Sequence, residues 1–106
     1  MTTLTSFYHS VYFWLREGGT DEDAHKIATG CRTYLPSIPG IVTLTVGVPA
    51  GTPRDVVDNS YGVALLIEFE NKVAYDVYED HPEHLRFITE CHSFWSRVQV
   101  YDAVPA

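Results

Sequence analysis

The chain has 106 residues, of which 45% are hydrophobic and 13% aromatic, and a net charge of −7. That length makes a single domain, residues 1–106, with enough apolar side chains to fill a core. Its seven Lys and Arg are scattered among fourteen acids, which excludes nucleic acid and anionic membranes as partners, since both need basic surface.

From Phe7 to Leu15 nearly every residue is aromatic or β-branched, the signal of a strand. Gly18 and Gly19 end it. Thr20-Asp-Glu-Asp23 reads as a capping box with acids in the first helical turn. Ala24, Ile27, Ala28, Cys31 and Leu35 follow on one helical stripe, and Pro36, Pro39 and Gly40 stop that helix. A second strand is expected over Val42–Val48, then a long turn-rich connection from Pro49 to Ser60, then a third strand over Tyr61–Phe69. Asn71 opens a helix carrying Val73, Val77 and Tyr78. Pro82 breaks it, because proline lacks an amide proton and pushes His81 out of the α region. The same proline suits the first turn of a new helix through Leu85, Ile88 and Cys91. A last strand begins at Phe94 or Trp95 and ends near Tyr101-Asp102.

The order β-α-β-β-α-β, with the second helical region broken in two, predicts an α+β ferredoxin-like fold. It has a four-stranded antiparallel sheet with helices on one face. A parallel doubly wound fold is disfavoured because no helix separates the two middle strands. Cys31 and Cys91 lie in apolar helical patterns and read as buried reduced thiols, not a disulfide framework or a metal finger. The segment Met1–Ser6 lacks a basic region and an apolar signal core, and no apolar run approaches membrane-spanning length. The expected location is the cytoplasm, with no membrane partner.

On the first strand His9, Val11, Phe13 and Leu15 share one face, while Tyr8, Ser10, Tyr12 and Trp14 share the other. On the third, Tyr61, Val63, Leu65, Ile67 and Phe69 oppose Gly62, Ala64 and Leu66. Both faces read as mostly apolar, yet the helices cover only one, so a homodimer through the open sheet face is expected. The alternative is a monomer whose Tyr8, Tyr12 and Trp14 stay half-exposed.

Chemistry is hinted at in Tyr78-Glu79-Asp80-His81-Pro82-Glu83-His84. His84 falls in the first turn of the helix opened by Pro82, beside unsatisfied N–H groups and the positive end of the dipole. That setting favours neutral imidazole, which can act as a base. Tyr78, across the break, is close enough in sequence to share a cavity. The competing reading is that His84 and His9 hydrogen-bond backbone groups and fix the break. A metal held by His9, His81 and His84 is a third arrangement, disfavoured because a proline interrupts the pair and no further ligand completes a known spacing. No metal or cofactor is expected. His25, His92, Asp80 and Glu83 read as surface or helix-terminal groups, and Tyr12, Trp14 and Trp95 as core or interface aromatics. There is no nucleophile elbow, no cysteine with a basic partner and no phosphate loop.

Taken in order, His9-Ser-Val-Tyr-Phe-Trp-Leu15, Pro39-Gly40, Val57-Asp-Asn-Ser-Tyr61, His81-Pro-Glu-His84 and Trp95 to Tyr101-Asp102 give a chain that resembles the stress-responsive dimeric α/β-barrel (Dabb) domain family. The resemblance implies a ferredoxin-like subunit that pairs sheet to sheet into a dimeric α/β barrel. A plant branch of that family cyclises linear polyketides by aldol chemistry without a cofactor. Its Tyr and His match Tyr78 and His84, expected here as the catalytic pair, and His9 matches a further pocket histidine. The cyclase branch carries another histidine where this chain has Val63, so the pocket should be less polar and the substrate different. His9, Val63, His81 and Phe87 are the expected ligand-binding side chains. The expected function is binding of a small hydrophobic carbonyl compound, with His84 as base and Tyr78 donating to the enolate oxygen. The alternative is a non-catalytic stress or assembly protein whose cavity is filled by side chains. Monooxygenases share the barrel shape, but no motif here points to oxygen chemistry.

Overall fold

A computed structural model describes residues 5–106; Met1–Leu4, part of the segment read as lacking a signal sequence, lie outside the described residues. The chain runs β1 (Phe7–Leu15), α1 (Asp21–Tyr34), β2 (Ile41–Gly47), β3 (Val63–Phe69), α2 (Lys72–Asp80), α3 (Pro82–Cys91), a 3-10 turn (His92–Phe94) and β4 (Trp95–Ala103). The strands form one antiparallel sheet in the order β2-β3-β1-β4. Among the described residues no helix is long and apolar enough to cross a membrane.

β3 starts two residues later than its apolar run suggests. Gly62 donates its N–H to Phe13 O at 2.7 Å, but it lies so close to β1 that a Cβ there would sit 2.6 Å from Leu15 Cγ. The ladder becomes regular only at Val63. Period-two patterning then decides the layers. Phe7, His9, Val11 and Phe13 of β1, with Val63, Leu65, Ile67 and Phe69 of β3, are buried on the inner face. They meet Ile27 and Cys31 from α1, Leu35 just past its end, and Tyr78, Phe87 and Cys91 from α2 and α3. Both thiols are free and buried, and burial pushes Cys31 up to about 12.

The outer face is more mixed than β1 and β3 suggest. Its centre carries Tyr8, Tyr12, Trp14, Ala64 and Leu66. The strand registers align Thr43 and Thr45 of β2 and Arg97 and Gln99 of β4 with that face, along its two edges. Ser10 and Glu68 also stand on this face of the central strands and Tyr101 on that of β4, so apolar and polar side chains are interspersed across it.

Asp23 sits at the third position of α1 and accepts from Thr20 N at 3.2 Å and from Arg16 Nε at 3.0 Å. The bonded Arg16 guanidinium is the main reason its carboxyl lies below the ordinary 3.8. A carboxylate lowered on folding stabilises above its unfolded value, and that contribution disappears as pH falls through the lower folded value. Asp23→Asn should therefore be less stable than wild type near neutral pH, with the gap closing as the pH falls below the ordinary carboxylate value; urea titrations from neutral into acid would read it.

Gly40 adopts φ +89° and packs so tightly that an added Cβ would lie 2.5 Å from Ala74 Cβ. Its carbonyl accepts from Glu70 N at 2.9 Å, tying the entry of β2 to the start of α2. Gly40→Ala combines an unfavourable backbone region with overpacking, so it should cost about 2–4 kcal/mol. A thermal melt should show Tm lower by about 10 °C or more.

Candidate functional site

The α2–α3 break is built by local capping. Asn71 caps α2 by accepting from Ala74 N at 2.8 Å. His81, extended at φ −66° and ψ 137°, ends α2 and caps α3, with Pro82 in the first turn. His81 Nδ1 accepts from Glu83 N at 3.1 Å. This histidine is thus committed to the cap and is not among the cavity-lining residues, contrary to its expected ligand-binding place. Val63 is a second correction: it is fully buried in the core opposite Phe13 and does not line the cavity. The geometry does not bring His9, His81 and His84 together either. Among the described residues no three His, Cys, Asp or Glu side chains are placed to hold a metal ion. His25 and His92 are exposed, as read from the sequence.

Between the helices and the β1–β4 half of the sheet lies a cavity of about 380 Å³. His9, Tyr78, His84 and Phe87 all line it. Three polar groups that sequence reasoning passed over join them: Tyr75, Glu79 and Asp102. The rest of the wall is apolar, from Val11, Phe13, Leu65, Ile88, Trp95, Val98 and Val100. Trp95, expected in the core or an interface, packs on Phe13 at 4.7 Å and walls this void. Strand register orders the lining: His9 pairs with Asp102, Val11 with Val100, and Phe13 with Val98. The polar groups therefore gather at one end of the strands and the aromatic wall stands at the other.

His84 Nδ1 lies 3.0 Å from Glu79 O. A carbonyl only accepts, so Nδ1 carries the proton and, in neutral imidazole, Nε2 presents a lone pair. The anticipated backbone bond at the break is therefore made by Nδ1, and it leaves the Nε2 lone pair free. His9 repeats the pattern from the sheet: Nδ1 donates to Asp102 Oδ1 at 2.5 Å, leaving Nε2 without a partner among the described residues. Tyr78 stands between them, its ring 4.3 Å from His84 and 5.7 Å from His9 between centroids.

The Tyr78 side chain is 1% exposed and its hydroxyl has no hydrogen-bond partner among the described residues. Yet no enclosed polar side-chain atom there is left unpaired, so the hydroxyl keeps contact with the open space of the cavity. Burial, ahead of the nearby acidic groups, holds the phenol well above its ordinary range. Tyr78 is therefore a hydrogen-bond donor at any physiological pH. A donor and two imidazole nitrogens around one void can polarise a carbonyl and move a proton next to it.

A family profile described as the stress responsive A/B barrel domain matches residues 7–105. The chain belongs to that family. No curated protein matches it in sequence. Among solved structures, a Dabb family protein with a ferredoxin-like fold from Mesorhizobium loti is similar at TM-score 0.77 and 22% identity, covering 95% of this chain and 97% of that one. A dimeric ferredoxin-like protein of unknown function from Thermobifida fusca gives TM-score 0.80 at 14% identity, with 99% and 95% covered. A hydroxynitrile lyase from Passiflora edulis gives TM-score 0.81 at 12% identity, with 98% and 96% covered. At these identities the likeness shows the A/B barrel fold, and what each neighbour does or assembles into is said of that neighbour.

Proposed function

We propose that this A/B barrel protein binds a small hydrophobic carbonyl compound in the cavity between sheet and helices and moves a proton adjacent to the carbonyl. The observation that carries the reading is the grouping of a free Tyr78 hydroxyl with two imidazoles, each with Nδ1 engaged and Nε2 left over. His84 Nε2 takes the proton from the carbon next to the carbonyl. Tyr78 donates to the oxygen as enolate charge develops, His84 returns a proton (a deuteron after exchange with D2O) to the same carbon, and His9 orients the substrate or a water through Nε2. The apolar wall from Val11 to Trp95 favours a ligand with one polar end. A void of about 380 Å³ speaks for this reading over a non-catalytic protein with a filled cavity. A lyase on the same fold in Passiflora edulis is consistent with it, although fold alone does not carry activity across.

The protein is read as a cytoplasmic homodimer joined through the open sheet face, in keeping with two free thiols and with neighbours described as dimeric. Deuterium exchange into phenylacetone tests the chemistry. In D2O the wild-type protein should speed loss of the methylene proton signal beyond an equal concentration of free imidazole at the same pH. Probe resonances that shift on binding without faster exchange would leave a binder, not a catalyst.

A further inference from the structure

The geometry points to Tyr75 and Glu79 as a positioning pair that fixes a carboxylate beside His84 and balances the charge His84 gains on taking a proton. This deepens the proposed chemistry and rests on His84 being the base. On α2, Tyr75, Tyr78 and Glu79 follow at i, i+3 and i+4, which brings them to one helical face. The Tyr75 ring is clamped, stacked on Phe7 at 4.4 Å with an 18° tilt and edge-on to Phe69 at 5.8 Å. Its hydroxyl donates to Glu79 Oε1. The other carboxylate oxygen, Oε2, then lies 4.0 Å from His84 Nδ1, the nitrogen that already donates to the Glu79 carbonyl.

Glu79 thus addresses one side of the imidazole twice, through its backbone and through its charge, leaving Nε2 opposite. Burial and then the bond to Glu79 hold the Tyr75 phenol above its ordinary range, so it remains a donor and the tether persists. A carboxylate held a few ångströms from an imidazole favours the imidazolium. The Glu79 side chain is 42% exposed, so solvent reduces that effect without removing it. The other titratable groups around His84 are Tyr78 on α2, Glu83 on its own helix, and the bonded His9–Asp102 pair across the cavity. None of them pairs a backbone acceptor at Nδ1 with a carboxylate charge nearby.

The test is a ligand-free 15N NMR titration of the histidines in wild type, Glu79→Gln, Tyr75→Phe and, as a nearby charge control, Glu83→Gln. Glu79→Gln keeps the backbone carbonyl and removes only the charge. It should weaken proton binding at His84 relative to wild type by more than any change at His9. Tyr75→Phe should give a smaller loss in the same direction, and Glu83→Gln less than Glu79→Gln. Equal effects of Glu79→Gln and Glu83→Gln, or a His84 titration in Glu79→Gln within error of wild type, would overturn the inference. Tyr75→Phe matching wild type would overturn it for the pair. Since no ligand is present, this result stands apart from the exchange assay: absent exchange counts against the proposed chemistry, an unmoved His84 against the positioning pair. Where exchange is seen, Glu79→Gln should lower its plateau rate and move the acid limb of its pH profile to lower pH. Both follow from a weaker base.

Discussion

Replacing His84 by alanine should cut deuterium uptake into phenylacetone by about 10²–10⁴-fold, the usual contribution of a positioned general base. The protein should remain folded and dimeric. The imidazole makes one hydrogen bond to a backbone carbonyl and packs against Tyr78, so its loss should cost about 1–3 kcal/mol and several degrees in Tm. His84→Asn separates the two functions of the ring. An asparagine amide can still donate to Glu79 O, but it offers no basic nitrogen. If His84 is the base, His84→Asn stays near wild-type stability and is as inactive as His84→Ala. If His84 only closes the helix break, His84→Asn should retain most of the exchange, and that outcome would sink the catalytic reading.

Most of the fold could be read from local signals in the sequence. The β1 run, the 3.6-residue stripe of α1, Asn71 as a cap and the His81-Pro82 break each have a physical cause within a few residues, and each stands where those causes put it. The candidate site was legible only in part. Tyr78 and His84 flank a proline that forces two helix ends together, so their approach follows from the break. Tyr75 could have been found from its spacing, since it falls one turn before Tyr78 on the same face of α2. Asp102 could not, because its bond to His9 depends on the β1–β4 register, which brings together residues 93 positions apart. Long-range register is set by the whole sheet, and no short pattern announces it. Misplacing Val63 has the same origin: alternation gave its face of the sheet correctly, but whether it borders the void or the packed core depends on where the helices cross. His81 was misjudged because a histidine side chain can cap a helix, a role that its position before Pro82 makes available.

Leu66→Arg should convert a dimer of about 24 kDa, twice the 12.0 kDa chain, into a single copy, as read by light scattering after size exclusion. In one protomer Leu66 is 42% exposed, and Tyr8 beside it on the outer face is 43% exposed. Arginine can therefore reach water and the protomer should keep its fold. Packed against a second sheet, the same position loses water, and a guanidinium without a partner there costs several kcal/mol. A two-fold interface uses every residue twice, so the cost doubles. The face offers Tyr8, Tyr12, Trp14, Ala64 and Leu66 on the two central strands and Tyr101 on β4, with Ser10 and Glu68 among them and Thr43, Thr45, Arg97 and Gln99 along the edges. A face rich in tyrosine and tryptophan, with polar side chains among them, has the composition of a specific interface. The cavity is lined by one protomer's sheet and helices on the face opposite Leu66, so Leu66→Arg should still bind phenylacetone, which separates loss of assembly from loss of the site. If Leu66→Arg remains at the wild-type mass, copies of this chain do not meet through the sheet face, and the exposed Tyr8 and Leu66 belong to a monomer surface.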